Sequence, residues 1–532
     1  MSAAQHLYSI APHAALAVPE DIGFKAHNLL RLARLGLAVP EAFVLGTATC
    51  RAWFTDVEAT RATLRNLLRD ALAGIEQASG LGFGSPRRPL LVSVRSGAPV
   101  SMPGMMDTLL DIGLCDATLR GLLRLTGNPR LAWDSYRRLV QQFAEVVHQV
   151  DPAPFRDALE RQLAREGVRA ARELDFRALQ SLTQGYLEIY AEHVGRAFPQ
   201  DPYEQLEAAV GAVFQSWMSA RAVEYRRQNA IDGDVGTAVT VQRMVFGNAG
   251  GTSGAGVAFT RDPTTGENRL YVDFLFNSQG EDVVSGRSTG GDAERMTRVL
   301  PAVAANLAET RRALEQEFRD VQEFEFTVQD ARLYLLQTRT GKRTPWAALR
   351  IAVELAHAGL ITPREALERV ADLDLGSIQR VRIAAREGLV PLSLGIPAGL
   401  GVAAGRVALD AAAAQRLGRR AVPVILVRED LSTEDIGAIA NCAGVLTVRG
   451  SRTAHAAVVA RQLGKPCVVG CGALSVDPVR RALRVGSTFV AEGEEICLDA
   501  ESGEVFAGRP KILVERPDEY LQALEGWRAQ AA

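Results

Sequence analysis

The run from Arg449 to Pro466, RGSRTAHAAVVARQLGKP, follows a short apolar strand pattern, AGVLTV, and puts a histidine where a phosphoryl group can be held. Thr453 can cap a helix there, and Gly464 and Pro466 can end it. His455 then falls in the first turn, where backbone N–H groups have no intrahelical partner. Those donors suit a phosphoryl group, and the positive helix end keeps the ring neutral and nucleophilic near neutral pH. Capping or packing explains a lone histidine equally well. The small neighbours Gly450, Ala454, Ala456 and Ala457 favour close approach by another group, and the residues alone leave the two readings even.

A second cluster is EFEFTVQDARLYLLQTR, residues 323–339. In a strand, Glu323, Glu325 and Thr327 share one face, and if the QDA turn has odd length, Glu325 faces Gln337. Such an oxygen set suits Mg²⁺ holding nucleotide phosphates, and Arg339, on the same parity, would offset phosphate charge. Taken alone, the segment is better read as a solvated polar face, because strands with alternating charge are common. In VSVRSGAPVSMPGMMDT, Arg95 ends a strand and a loop with Gly97, Pro99, Pro103 and Gly104 follows, able to cover a triphosphate although it is no Walker A sequence. Lys25, just ahead of the helical pattern HNLLRLARLG, can supply a further cation. The run GNAGGTSGAG after Phe246 is either another phosphate cover or a flexible hairpin loop.

Strand and helix patterns alternate from Asp21 to about Thr340, with an almost wholly helical block from about 119 to 227 that reads as an insertion. Thr237 to Phe246, Val257 to Thr260, Leu270 to Phe276, Phe324 to Val328 and Leu333 to Leu336 predict a mixed sheet built from hairpins. Residues 341–385 read as a helical connector, with Thr362-Pro363-Arg364-Glu365 as a helix start. The glycine-rich LGIPAGLGVAAGRV opens a last domain, in which VPVILV and AGVLTV are buried strands around a helix from Ser432 to Ala440. Beyond Lys511 the pattern allows at most one helix. Lys and Arg number 60 against 62 Asp and Glu, a net charge of −2, so no broad cationic field speaks for nucleic acid. No apolar run is long enough to span a membrane and the start lacks a signal-peptide pattern, which predicts a cytoplasmic protein. The six cysteines form no CxxC pair and read as reduced core thiols.

Taken together these segments resemble the N-terminal two thirds of the pyruvate phosphate dikinase family. SVRSGAPVSMPGMMDTLL, GNPRLAWDSYRR, TAVTVQRMVFGNAGGTSGAGVAFTRDPTTGE, NSQGEDVVSG, LYLLQTRTGKRT and HAAVVARQLGKPCVVGC follow its pattern in order between Gly23 and Gly508. The resemblance implies an α/β and α+β multidomain chain: an ATP-grasp nucleotide-binding domain at 1–340, a connector at 341–385, a swivelling β/β/α phosphohistidine domain at 386–510 and a tail at 511–532. It implies that Lys25, Arg95 and Arg339 contact ATP phosphates, that Glu325 and Gln337 serve Mg²⁺ and nucleotide with Glu323 beside them, and that His455 carries the phosphoryl group next to Thr453.

The chain departs from the family in four places. The usual GGKG is Gly23-Phe24-Lys25-Ala26, the usual aspartate is Glu323, and the usual GGMTSH is Gly450-Ser451-Arg452-Thr453-Ala454-His455. The α/β barrel that binds pyruvate and phosphoenolpyruvate has no counterpart in these 532 residues. The expected function is therefore dikinase-type transfer of the β-phosphoryl group of ATP to His455, with AMP released and inorganic phosphate taking the γ-phosphoryl group. The group then passes to a small-molecule or protein-borne acceptor bound elsewhere. The alternatives are one subunit of a split dikinase, with the barrel on a separate chain, and a non-catalytic nucleotide-binding interaction subunit. Neither nucleic acid nor membrane is an expected partner, and a homo-oligomer is left open.

Overall fold

The computed structural model describes residues 7–531 except 101, 103–105, 169, 281–282, 284–291, 420–421, 432–434, 451–454 and 487. It divides into two compact units, Met1–Gly250 with Tyr334–Gln337, and Gly251–Leu333 with Thr338–Ala532. The architecture is mixed α/β and multidomain.

In the first unit, β1 (Leu7–Ile10), β2 (Ala42–Leu45), β3 (Val92–Gly97), β4 (Thr108–Ile112) and β5 (Ala238–Arg243) form one sheet in the order β1-β2-β5-β3-β4. Helix α1 (Pro19–Arg34) precedes β2. All four pairings are antiparallel. The sequence pattern predicts one mixed sheet of hairpins, but the strands divide between two sheets, because β5 pairs with the distant β2 and β3 instead of with its neighbours in sequence. Among the described residues six α-helices, from Asp116–Thr126 to Ala220–Gln228, lie between β4 and β5. Asn128, Asp175, Asp201 and Ser219 each cap one of them by accepting a backbone N–H.

The longest of the six, α2 (Pro129–His148), buries Leu131, Tyr136, Leu139 and Phe143 completely, and one charge cluster with them. Arg137 and Arg138 reach the Asp134 carboxylate at 2.7 Å and 3.0 Å. Burial pushes this carboxyl up, but Arg137 and Arg138 outweigh burial and bring it down to about 2. A depressed carboxyl contributes stability above its unfolded value and loses it as the folded form is protonated. Asp134→Asn should therefore cost about 3–5 kcal/mol at neutral pH, since it leaves a buried guanidinium without its partner. The deficit should shrink as pH falls from 3.8 towards 2. Urea unfolding at several pH values checks this; a deficit that does not change with pH would mean packing, not charge, is what the substitution removes.

A further sheet has β6 (Gly254–Phe259), β7 (Tyr271–Phe276), β8 (Gln322–Gln329) and β9 (Arg332–Thr340) in the order β9-β8-β6-β7, all in the second unit except Tyr334–Gln337 of β9. β8 and β9 are joined by Asp330 and Ala331, both at positive φ, a two-residue turn rather than one of odd length. β8 has 8 residues and β9 has 9. The open ends meet where the Gly341 N–H donates to the Val321 carbonyl at 2.9 Å. β9 thus carries one residue more than its partner, a bulge that shifts which side chains share a face.

Helix α3 (Pro301–Phe318) follows β7, and the connector folds as α4 (Pro345–His357), α5 (Pro363–Arg369) and β10 (Arg380–Ile383). α5 starts as its sequence predicts: the Thr362 hydroxyl accepts the Glu365 N–H at 3.2 Å, and Glu365 accepts the Thr362 N–H at 2.7 Å. α4 is fastened to the β6 lobe through Arg261, only 3% exposed, which donates to Glu315 of α3 at 2.9 Å and to Glu354 of α4 at 2.8 Å.

The last domain is, among the described residues, an eight-stranded sheet of β11 (Ser393–Leu394), β12 (Ile396–Pro397), β13 (Val402–Ala408), β14 (Val424–Arg428), β15 (Gly444–Thr447), β16 (Cys467–Val469), β17 (Glu495–Asp499) and β18 (Glu504–Ala507), in the order β11-β18-β17-β13-β14-β15-β16-β12. β13 to β16 run parallel, and α6 (His455–Gln462) crosses from β15 to β16. The tail adds a strand to the single helix that the sequence predicts. β19 (Ile512–Glu515) pairs antiparallel with β10, and α7 (Asp518–Ala531) packs Leu524 into the core of α4 and α5. Both ends of the domain therefore leave through one ribbon, where Glu515 accepts from Arg380 and Arg382 at 2.7 Å and 2.8 Å.

Candidate active site

α1 breaks at Gly23, which stands at φ 77°, and Lys25 lies two residues on, in the first turn of the resumed helix. A side chain at residue 23 would meet the Gly97 carbonyl oxygen at 2.1 Å, and the Phe24 N–H donates to the Ala98 carbonyl at 3.0 Å. The loop at Gly23 and the loop after β3 are thus zipped together by backbone. The departure from GGKG keeps the one glycine this contact needs, and Phe24 takes part through its N–H, which any residue supplies.

Lys25, Arg95 and Gln337 line one small cavity of the first unit, with Ser96, Thr240 and Gln242 among the other lining residues. β3 brings Arg95 directly opposite Thr240, and Arg95 also donates to the Leu336 carbonyl at 3.4 Å. Sequence reasoning does not single out Thr240 and Gln242. Their signal is the polar face of the Thr237–Phe246 alternation, whose other face carries Val239 and Val241. A larger cleft of about 380 Å³ in the helical part, lined by Trp53, Arg61, Arg196 and Glu207, contains none of the expected site residues.

In the second unit, Arg339 and Glu323 form an ion pair of 2.6 Å, and the Thr338 hydroxyl reaches the Gln322 side-chain oxygen at 3.1 Å. Burial acts against the Arg339 charge, but Glu323 and then Glu325 outweigh it, so the guanidinium is held more firmly charged than usual. Glu325 is therefore within electrostatic reach of Arg339. Glu325 and Gln337, the expected metal pair, fall one in each unit. Among the described residues no three His, Cys, Asp or Glu side chains gather as a metal cluster. Each member of the Glu325 and Gln337 pair is by its chemistry an oxygen donor of the kind Mg²⁺ accepts, and Mg²⁺ takes few protein ligands beside substrate phosphates.

α6 begins at His455, where the backbone alone is described. The segment before it leaves the carboxyl end of β15, the end at which parallel α/β sheets carry their sites. The Thr447 hydroxyl donates to the Arg449 carbonyl at 2.5 Å and the Cys471 N–H to the Thr447 carbonyl at 3.0 Å. A side chain on Gly470 would come within 2.9 Å of the Gly450 carbonyl oxygen, so the backbone is closely approached at Gly450. Thr453, with Arg452, Pro103 and Gly104, lies outside the described residues.

Two modules are thus present, one gathering cations and polar side chains in a cleft, the other an α/β sheet whose helix opens on a histidine. Residues 56–297 match the pyruvate phosphate dikinase AMP/ATP-binding domain, and residues 421–503 match the mobile domain of PEP-utilising enzymes. The chain is 44% identical over 499 residues to pyruvate, phosphate dikinase 2 of Zea mays, which covers 93% of the chain and 56% of that relative. It is 41% identical over 490 residues to pyruvate, phosphate dikinase of Clostridium symbiosum, covering 92% of the chain and 56% of the relative. The same identity holds over 525 residues with the enzyme of Rhizobium meliloti, covering 96% of the chain and 58% of the relative. The class is that of chains that join an AMP/ATP-binding domain to a mobile domain. Within it, the chain belongs to the pyruvate phosphate dikinase family and spans a little over half the length of these relatives. No helix among the described residues is long and apolar enough to cross a membrane.

Proposed function

We propose that this chain carries out the nucleotide half of a dikinase reaction, with residues 1–340 as an ATP-grasp domain and 386–510 as the phosphohistidine carrier. The observation that carries the reading is the convergence of Lys25, Arg95 and Gln337, from segments far apart in sequence, on one cavity. Lys25, Arg95 and Arg339 hold the phosphates of ATP. Glu325 and Gln337 hold Mg²⁺, which when bound would offset phosphate charge. A ring nitrogen of His455 attacks the β-phosphorus in line; the bond to the α–β bridging oxygen breaks and AMP leaves. The γ-phosphoryl group passes to inorganic phosphate as pyrophosphate. The protein's share is positioning and fixed positive charge, since phosphoryl transfer asks for little else. Thr453, two residues earlier in sequence, is assigned to assist the histidine. The carrier then moves on the β10–β19 ribbon, because α4 is fastened by Arg261, and hands its phosphoryl group to an acceptor bound elsewhere.

The test is incubation of the purified chain in Mg²⁺ with β-labelled ATP, with and without phosphate, following AMP, pyrophosphate and acid-labile protein label. Label should rise to one group per chain, and the release of pyrophosphate, unlike that of AMP, should depend on phosphate. Adding pyruvate should yield no phosphoenolpyruvate, because enolisation needs pyruvate held with its carbonyl polarised and an acid/base at its methyl carbon, and every residue assigned to the site serves ATP or the phosphoryl group instead. Steady phosphoenolpyruvate formation by these 532 residues alone would overturn the half-reaction reading.

A further inference from the structure

The helix that begins at His455 ends against the sheet that carries Glu323. Arg461, in the last turn of α6, is 1% exposed, and its guanidinium carbon lies 5.8 Å from the centroid of the Phe259 ring. That is cation–π distance, and the attraction grows when water is excluded. Phe259 ends β6 and is the direct cross-strand partner of Glu323, whose carboxylate holds Arg339. The ring is fixed in place, buried to 2% and set edge to face against Tyr271 at 5.9 Å. Six residues of α-helix separate His455 from Arg461, a rise of about 9 Å. One rigid helix therefore connects the histidine to a seat one strand away from the Glu323–Arg339 pair.

We propose that Arg461 is a positioning residue: by seating its guanidinium on Phe259 it holds the carrier helix against the nucleotide sheet in the pose in which His455 receives its phosphoryl group. The inference rests on the phosphotransfer reading above and adds to it the surface on which the carrier docks. Arg461 touches neither nucleotide nor phosphoryl group. Its effect falls on how often His455 is in place, not on how tightly ATP binds. The guanidinium must also lift off the ring when the carrier leaves.

The experiment uses the full chain with Arg461→Met, Arg461→Lys, Phe259→Leu and the Met/Leu double variant. It measures single-turnover labelling from β-labelled ATP with phosphate, ATP affinity by calorimetry, and small-angle X-ray scattering. Arg461→Met and Phe259→Leu should each slow labelling about tenfold, the worth of one desolvated cation–π pair. The double variant should be no slower than either, because both substitutions remove the same pair. Arg461→Lys keeps a cation and should stay within about threefold of the unaltered chain, ATP affinity should not move, and the scattering envelope should widen in the Met and Leu variants. Full-speed labelling by Phe259→Leu, or effects that multiply in the double variant, would overturn the proposal. If the unaltered chain takes up no label, the phosphotransfer reading fails. Docking is then judged by scattering alone, and an unchanged profile in Phe259→Leu overturns it.

Discussion

His455→Asn is expected to abolish acid-labile labelling from ATP, a loss of about a thousandfold or more, while ATP affinity stays within about twofold. Asparagine keeps polarity and much of the shape at the start of α6 but has no nucleophilic nitrogen. The nucleotide contacts assigned to Lys25, Arg95 and Gln337 belong to the first unit and α6 to the second, so removing the histidine leaves the cavity lining untouched. Mass spectrometry of the labelled peptide, together with calorimetry, separates the two effects. Persistent label on histidine in this variant would put the carrier at another residue.

The second large effect is expected from Gly23→Ala. The left-handed backbone at φ 77° is strained for alanine by about 1–2 kcal/mol. The heavier burden is steric: the new methyl group would lie 2.1 Å from the Gly97 carbonyl oxygen and 2.5 Å from its carbon, atoms of a strand that cannot give way. Either the loop at Lys25 or the loop after Arg95 must move, and ATP affinity should fall by about a hundredfold, since both cations serve one ligand. Gly36→Ala is the control, because Gly36 has φ 75° with nothing within 4 Å of its side-chain position. Both variants bear the backbone strain, and Gly23→Ala alone bears the collision. Equal, small losses in the two would mean that the zipped loops do not shape the site.

The site is legible in the sequence where it depends on local periodicity. Parity places Glu323 and Arg339 on one face, and they form an ion pair. The parity holds for a different reason from an odd-length turn: the turn is even, and the extra residue of β9 restores it. Sequence cannot reveal such a bulge, because it is a difference in length between two strands whose pairing must be known first. Thr240 and Gln242 escape sequence reasoning on related grounds, since an alternating strand shows which residues share a face but not what that face borders. The seat of Arg461 on Phe259 joins residues about two hundred positions apart, and nothing local marks it. In sequence, Gly23 looks like the remnant of an altered loop, whereas the close approach of Gly97 makes it the part of that loop that must stay.

The β10–β19 ribbon and the α7 helix have a consequence for how the chain is made. The core of α4 and α5 includes Leu349, Val353 and Ile361, and it is completed by Leu524 of α7, with Trp527 edge to face against His357 at 5.5 Å. Between α5 and α7 the ribosome must synthesise the whole carrier domain, which at typical elongation rates takes roughly 8 to 30 s. During that interval the connector helices are in the open with an apolar face uncovered, while the inserted domain folds on its own. The helix that covers them, α7, emerges only after the carrier, so the nucleotide half gains this part of its base once the carrier is complete. A nascent chain stalled before Asp518 should accordingly be the aggregation-prone and protease-sensitive species in synthesis, with cleavage centred on α4 and α5 and not on the sheet of the carrier.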